Sequence, residues 1–242
     1  MSPITFNEKS HTYTVDGMNL QSVTTIGKQY QHALSVPFLV ERMGWNEQKA
    51  KDKLAEWSAN GQRAKENGKA VDKVICDLID AITKDGLSQT DASILKGYNV
   101  FNDILSFVDS ELNLTDFHIY TQEILYDKDC RCAGTCDIRI VDEINKRMYF
   151  FDIKTGHKPS FHAWKNCNLL SPFDHLVDCY MNTYAMQLSF YALLAQMMYP
   201  DYIVDLENLW VVHVSSVQMK TNFIKVPYLP ECELILHERS LF

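Results

Sequence analysis

Gly134-Thr135-Cys136-Asp137 is followed, fifteen residues after its aspartate, by Asp152-Ile153-Lys154-Thr155-Gly156. Side chains alternate across a β-strand, so Asp152 and Lys154 point to one face while Phe151 and Ile153 point into the core. The strand delivers a carboxylate and an ammonium together. Between the two segments Glu143-Ile144-Asn145-Lys146 reads as a hairpin loop, which pairs Asp142 with Arg147, an opposite-charge match. Counting back in antiparallel register then sets Asp137 directly opposite Asp152. Carboxylates so opposed repel, and a bound cation is the natural remedy. Hard oxygen ligands of this kind favour Mg²⁺ or Mn²⁺. On the preceding strand Glu123 shares a face with Ile119, Thr121 and Leu125, a carboxylate in a semi-buried pattern that suits a further ligand.

Outward from this hairpin, strand-like runs are read at Phe117 to Tyr126, Asp137 to Val141 and Met148 to Lys154, then at Leu209 to Val214 and Phe223 to Val226, with a helix from about Tyr180 to Met198 between the two groups. Upstream, Asp16-Gly17 is a strong hairpin turn after Tyr13-Thr14-Val15, and Ser22 is placed to cap a short helix starting near Val23. From Pro37 to Ile82 the pattern is helical. Its best part sets Val71, Val74, Ile75, Leu78, Ile79 and Ile82 on one face, and Asp85-Gly86 ends it. A second amphipathic helix carries Ile94, Leu95, Tyr98, Phe101, Ile104, Leu105 and Val108. Helices, then three strands, then a helix and two strands predict an α/β fold.

The 242 residues carry 46% hydrophobic and 22% charged side chains, so a sizeable single core is expected and disorder is not. One domain over 1-242 is the simplest division. The N-terminus lacks a basic segment followed by a long apolar run, and no stretch approaches ~18 uninterrupted apolar residues, so a cytoplasmic chain with no membrane association is expected. Seven scattered cysteines suit a reducing compartment and free thiols. A net charge of -8 argues against a uniformly basic nucleic-acid surface. Local basic clusters stand against it: Arg63, Lys65, Lys69 and Lys73, and Lys154, His157, Lys158, His162 and Lys165. Each is a phosphate-facing lining or a solvated charged face. The stretch from His157 to Asn182 adds Phe161, Trp164, Phe173, His175 and Tyr180. Aromatics among cations suit stacking on unpaired bases, or pack inward as part of an insertion.

In their order and spacing, Glu123, Gly134 to Asp137, Asp152 to Lys154 and Gln187-Leu188-Ser189-Phe190-Tyr191 resemble the PD-(D/E)XK nuclease superfamily, in particular its RecB-like exonuclease branch. Asp-x-Lys alone is a weak signal; the ordered set is strong, and it covers roughly residues 57–215. The resemblance implies a restriction-endonuclease-like central mixed sheet flanked by helices, here with an N-terminal hairpin and helical embellishment. It implies Asp137 and Asp152 as metal ligands, the Ile153 carbonyl as a further one, Lys154 as the group that orients the attacking water, and Gln187 and Tyr191 as substrate contacts one helical turn apart. Glu123 completes the implied catalytic set, and Lys158 and Trp164 are further candidate substrate contacts. The implied activity is hydrolysis of DNA that is single-stranded or has free ends, in recombination, repair or phage genome processing. The setting is a bacterial or phage-infected cell, with a recombination or replication protein as partner.

Two departures stand out. The RecB-like pattern carries Gly-x-x-x-His on an upstream helix, whereas Gly68-Lys69-Ala70-Val71-Asp72 ends in an aspartate. Asp72 is a competent ligand for a hard cation or a solvated surface acid, with Glu66 as a weaker substitute. After Tyr191 only Cys232 remains, so the iron-sulfur cluster of some relatives is not expected. Cys130, Cys132 and Cys136 lack the paired spacing of structural zinc. A site-specific or structure-specific endonuclease and a catalytically silent nucleic-acid-binding fold are the rival readings.

Overall fold

The computed structural model describes residues 4–7, 10, 12–85, 92–155, 159–162, 167–215 and 221–241, with side chains left undescribed at 64–65, 67, 69, 71–72, 74 and 78–98. In chain order the elements are β1 (Thr5–Asn7), β2 (Thr12–Val15), β3 (Met18–Ser22), α1 (Val23–Lys28), α2 (Val36–Met43), α3 (Glu47–Asp85) and α4 (Ala92–Phe107). A π-helical turn (Val108–Leu112) leads to β4 (Phe117–Asp127), β5 (Cys132–Asp142), β6 (Arg147–Thr155), α5 (Tyr180–Met198), β7 (Ile203–Val214), β8 (Thr221–Val226) and α6 (Glu231–Ser240).

Local chemistry accounts for most boundaries. Asp16 and Gly17 both take positive φ between β2 and β3, as a tight hairpin turn demands. Ser22 caps α1 by accepting from the Thr25 N–H at 3.1 Å. The helical stretch expected to run unbroken from residue 37 is divided: Gly44 adopts φ 65 and its N–H closes α2 on the Val40 carbonyl, the αL termination that glycine favours. β1 and α6 are too short and too weakly patterned to have been anticipated.

The eight strands form one mixed sheet in the order β1-β2-β3-β5-β6-β7-β8, with β4 also paired to β5. β3 with β5 and β6 with β7 are parallel; the other pairings are antiparallel. The β5–β6 register runs from Asp142↔Arg147 to Ile138↔Phe151, the register counted from the sequence. At its end Asp142 and Arg147 face each other as expected, without a direct ion pair; burial works against the Asp142 charge, but the hydrogen bonds of the turn and then the Arg147 charge bring its carboxyl below the usual range. Arg147 reaches Asp205 at 3.4 Å, while Asp142 accepts the N–H groups of Ile144 and Asn145 and so closes the turn.

Both faces of the sheet are covered. Met148, Phe150, Leu209 and Val211 pack with α5, while Ile138, Ile140, Tyr149, Phe151, Ile153 and Val212 pack against Ile75, Val100, Phe101 and Ile104 of α3 and α4. This double burial explains why β6 reads as a nearly continuous apolar run around its one aspartate. Among the helix-face residues read from the sequence, Ile75, Phe101, Ile104 and Val108 are buried as expected; Val71, Val74, Leu78, Ile79, Ile82, Ile94, Leu95 and Tyr98 lie outside the described side chains. α5 is apolar nearly all round, since α6 covers the side that the sheet leaves, with Cys232, Ile235 and Leu236 in the same cluster. No described helix is long and apolar enough to cross a membrane.

β4 occupies one edge of β5 along Cys132 to Asp142. The other edge is shared: β3 takes Cys132 and Ala133, β6 takes Ile138 to Asp142. β5 is therefore forked, and Gly134 to Asp137 lie in the opening. A Cβ on Gly134 would meet Tyr191 Cε1 at 2.5 Å and Val23 Cγ2 at 3.0 Å, so the first residue of Gly-x-x-Asp is a glycine because the tyrosine of α5 rests on it. Gly134→Ala is expected to destabilise the fold by about 1–3 kcal/mol through overpacking. Tyr191→Leu in the same chain should recover part of that loss, read as non-additivity of the two urea midpoints; simple additivity would disprove the contact.

Candidate active site

Where β5 leaves β6, the backbone N–H of Ile153 loses its strand partner, and a buried amide without an acceptor is costly. Asp137 takes it: the Ile153 N–H donates to Asp137 Oδ2 at 2.8 Å. Gln122 Nε2 donates to Asp137 Oδ1 at 3.3 Å and also reaches Cys76 Sγ of α3 at 3.3 Å. Gln122 holds φ 49, a conformation that costs a non-glycine residue about 1–3 kcal/mol and is kept only where surroundings impose it. The β4–β5 ladder passes from Thr121↔Ile138 to Glu123↔Cys136 and skips this position.

Asp152 is buried on the α5 side of β6. Gln187 Nε2 donates to its Oδ1 at 3.0 Å and lies 2.8 Å from the Tyr191 hydroxyl. Lys154 Nζ sits 2.5 Å from Oδ2 and 4.9 Å from the centre of the Tyr184 ring. Burial works against the Lys154 charge, but the attraction of Asp152 and Asp137 outweighs it, so its pKa is raised and it is an ammonium at neutral pH. His213 of β7 is its cross-strand neighbour and is buried. The repulsion expected between Asp137 and Asp152 is thus already offset by one ammonium and three N–H donors. A cation is not required merely to let the two acids coexist.

The hydroxyl of Tyr191 is held neutral, its pKa pushed well above the usual range by burial and then by Asp152 and Asp137. Burial, with Asp137 and Asp152 behind it, likewise raises the Cys136 thiol, and burial pushes Cys130 and Cys132 up to about 12. These thiols are therefore protonated at neutral pH. All seven cysteines are buried and none is in a disulfide.

One sequence reading needs correction. Glu123 does not present a spare carboxylate: the buried Arg139 guanidinium grips both of its oxygens, with Nη2 at 2.9 Å from Oε1, and the Tyr199 hydroxyl donates to Oε1 at 2.6 Å. Arg139 in turn lies between the Tyr120 and Tyr199 rings, at 4.3 and 4.5 Å. The reason is the interruption at Gln122, after which the side chains of β4 no longer follow a simple alternation. Of the alternatives left open by the sequence, Phe173 takes the inward-packed one, edge-on against Tyr30 in the core, and Lys73 pairs with Asp77 at 2.8 Å on an exposed face of α3.

Gly68 and Cys76 stand eight residues apart on α3, two turns along one face. A Cβ on Gly68 would meet Thr155 Oγ1 at 3.2 Å, and Cys76 Sγ lies 3.9 Å from the Asp137 carbonyl. The backbone position of Asp72 falls between them, over the site; its side chain lies outside the described residues, as do Lys158 and Trp164 altogether. Among the described residues no group of three or more His, Cys, Asp or Glu converges. Two neighbouring carboxylates nevertheless fit Mg²⁺, which keeps several waters and takes one or two protein carboxylates. A cavity of about 630 Å³ opens onto Gly134, Thr135, Gln187 and Tyr191. Gln122, Tyr184, Arg139 and Tyr199 were missed in the sequence; only the first carries a local signal, and it is conformational.

The Glu123 cluster has a pH signature. Burial, then the bond to Glu123, lifts the Tyr199 hydroxyl to about 12, above the ~10 of an unfolded tyrosine. A group raised on folding contributes its full stabilisation below the unfolded value and loses it as pH climbs through the folded one. The stability gap between wild type and Tyr199→Phe should therefore narrow from pH 10 to pH 12, measured by urea midpoints; a constant gap would remove Tyr199 from that titration.

No family model matches the chain, and no curated protein matches it. Among solved structures it is similar to one described as "Crystal structure of SSO0001", with 16% identity, 71% of this chain and 73% of that chain covered, and a TM-score of 0.26.

Proposed function

We propose that the protein is a divalent-metal-dependent deoxyribonuclease of the PD-(D/E)XK kind, built on the restriction-endonuclease-like version of its mixed sheet and acting as an exonuclease on single-stranded or end-accessible DNA. The observation that carries the reading is the meeting of Asp137, Asp152 and Lys154 at the fork of β5, with Gln187 bridging Asp152 to Tyr191. Each is a residue of the ordered motif set, and they come from three separate elements.

Asp137 and Asp152, with the main chain at Ile153 and Asp72 from α3, would hold Mg²⁺ or Mn²⁺, which supplies Lewis-acid polarisation of the scissile phosphate. The chain's own groups do the rest. Lys154, kept as an ammonium by the two acids, donates to the attacking water or to a phosphate oxygen and opposes the charge that builds there. It serves as an electrostatic and positioning group rather than a proton acceptor. Gln187 fixes the orientation of Asp152, and Gln122 with the Ile153 N–H fixes that of Asp137.

The test is cleavage of linear single-stranded, linear duplex and closed circular DNA in Mg²⁺, Mn²⁺ or chelator. Linear strands should be degraded in either metal, closed circles should survive, and Asp152→Asn should abolish turnover while the protein stays folded. Nicking of closed circles would convert the reading to an endonuclease. Full activity in excess chelator, or none on any DNA in either metal, would overturn it.

Lys154 separates structural from catalytic roles. Removing it strips the partner from a buried carboxylate, a change that costs about 3–5 kcal/mol where pairs are fully buried, and less here because the lysine side chain is 23% exposed. Lys154→Met combined with Asp152→Asn should recover stability, since neither charge is then left alone. Lys154→Met by itself should lower single-turnover cleavage by roughly 10²-fold under conditions where melting shows it folded. Near-normal chemistry in the folded variant would take the lysine out of the mechanism.

A further inference from the structure

α5 carries Tyr180, Tyr184, Gln187 and Tyr191 at intervals of four, three and four residues, which sets all four along one stripe of the helix. Exposure falls along the stripe. Tyr180 is 64% exposed, Tyr184 and Gln187 are half-buried, and Tyr191 is 3% exposed. Its inner end is the site itself, through the bond from Gln187 to Asp152.

Three cavities follow this stripe where it faces α1. The one at the site, about 630 Å³, shares Val23, Thr24 and Gln187 with a second of about 250 Å³. The second shares Lys28, Gln31 and Tyr180 with a third of about 400 Å³. Shared walls make them one groove that leaves the site along the seam between α1 and α5.

The lining of that groove has a distinct chemistry. The rings of Tyr180 and Tyr184 lie 6.3 Å apart and 21° from parallel, a stacked pair whose outer member shows most of its surface to solvent. Behind the inner ring, outside the residues that line the cavities, Lys154 holds its ammonium 4.9 Å from the ring centre; the exposed Lys28 stands on the outer wall. The acid of the outer cavity, Asp178, is buried and accepts the His32 N–H at 3.2 Å, so it does not dominate the groove's face. A pair of flat aromatic faces beside an exposed ammonium matches an unpaired strand, whose bases offer π-faces that a duplex hides within its stack.

We propose that this groove is a track for an unpaired DNA strand, with bases stacked on Tyr180 and Tyr184 and a phosphate paired with Lys28, feeding the strand toward Asp137 and Asp152. The track rests on the nuclease reading for what happens at its inner end, but its binding step is independent of cleavage.

Binding is therefore measured in chelator, by fluorescence anisotropy of a labelled oligothymidine, an abasic strand of equal length and a blunt duplex. Tyr180→Ala should weaken oligothymidine binding about tenfold, in the range of losing one stacked base, and Tyr180→Phe should retain it. The abasic strand should bind wild type and Tyr180→Ala alike. Lys28→Ala should weaken both strands equally and make the salt dependence shallower by about 0.7 in the log–log slope, one phosphate contact's worth. Wild-type affinity of Tyr180→Ala for oligothymidine, or an equal loss on the abasic strand, overturns the track. If these binding results hold while no DNA is cleaved in Mg²⁺ or Mn²⁺, the track stands and the nuclease reading falls; metal-dependent cleavage with Tyr180-independent binding gives the reverse.

Discussion

The hydrogen bond from the Ile153 amide to the Asp137 carboxylate is made where one strand stops pairing with its neighbour. β5 can serve β3 at one end and β6 at the other only if it abandons the same edge in between. The abandoned amide of the buried Ile153 must find an acceptor, and a carboxylate is a stronger acceptor for it than a neutral group. Asp137 is thus fixed by a need of the sheet, independently of any chemistry it performs.

The other features of the site follow from that opening. The fork admits Tyr191 against Gly134, with room only because no Cβ is present, and Tyr191 and Gln187 bring α5 down onto Asp152. Lys154 then lies between the sheet and Tyr184 with a carboxylate on one side and a ring face on the other, a setting that holds its charge despite burial. The strained Gln122 backbone on the far side of β5 serves the same aspartate. Strain, an opened ladder and charged groups with few water contacts coincide at one place, as they do where a fold sacrifices local stability for a preorganised site.

Elsewhere the same molecule uses its polar groups for cohesion. Glu123, Arg139 and Tyr199 form a closed set of donors and acceptors between β4, β5 and the end of α5, with Tyr120 over the guanidinium. That set is as charged and as buried as the candidate site, yet each group meets a partner of complementary geometry and no cavity opens beside it among the described pockets. The contrast separates a carboxylate closed within a packed cluster from two carboxylates that sit behind Gln122 and Gln187, side chains that themselves line a cavity.

Short-range patterns were sufficient for much of this. The Asp16-Gly17 turn, the Ser22 cap, the register of the 142–147 hairpin, the span of α5 and the joint placement of Asp152 and Lys154 all depend on neighbours within a few residues, where periodicity and turn chemistry act directly. The α/β layering followed from the order of those segments. What the partners of the charges would be did not. Simple strand alternation makes Glu123 a ligand candidate, and only the left-handed backbone at Gln122, which the ladder to β5 skips, turns it elsewhere. The neutralisation of Asp137 and Asp152 by Lys154, Gln187, Gln122 and a main-chain amide depends on groups brought together from β4, β6 and α5. The sequence by itself determined which residues lie on which strand or helix face; the tertiary structure decided which partners satisfy each acid and which of those partners line a cavity, because satisfaction of a buried charge is a property of everything packed around it.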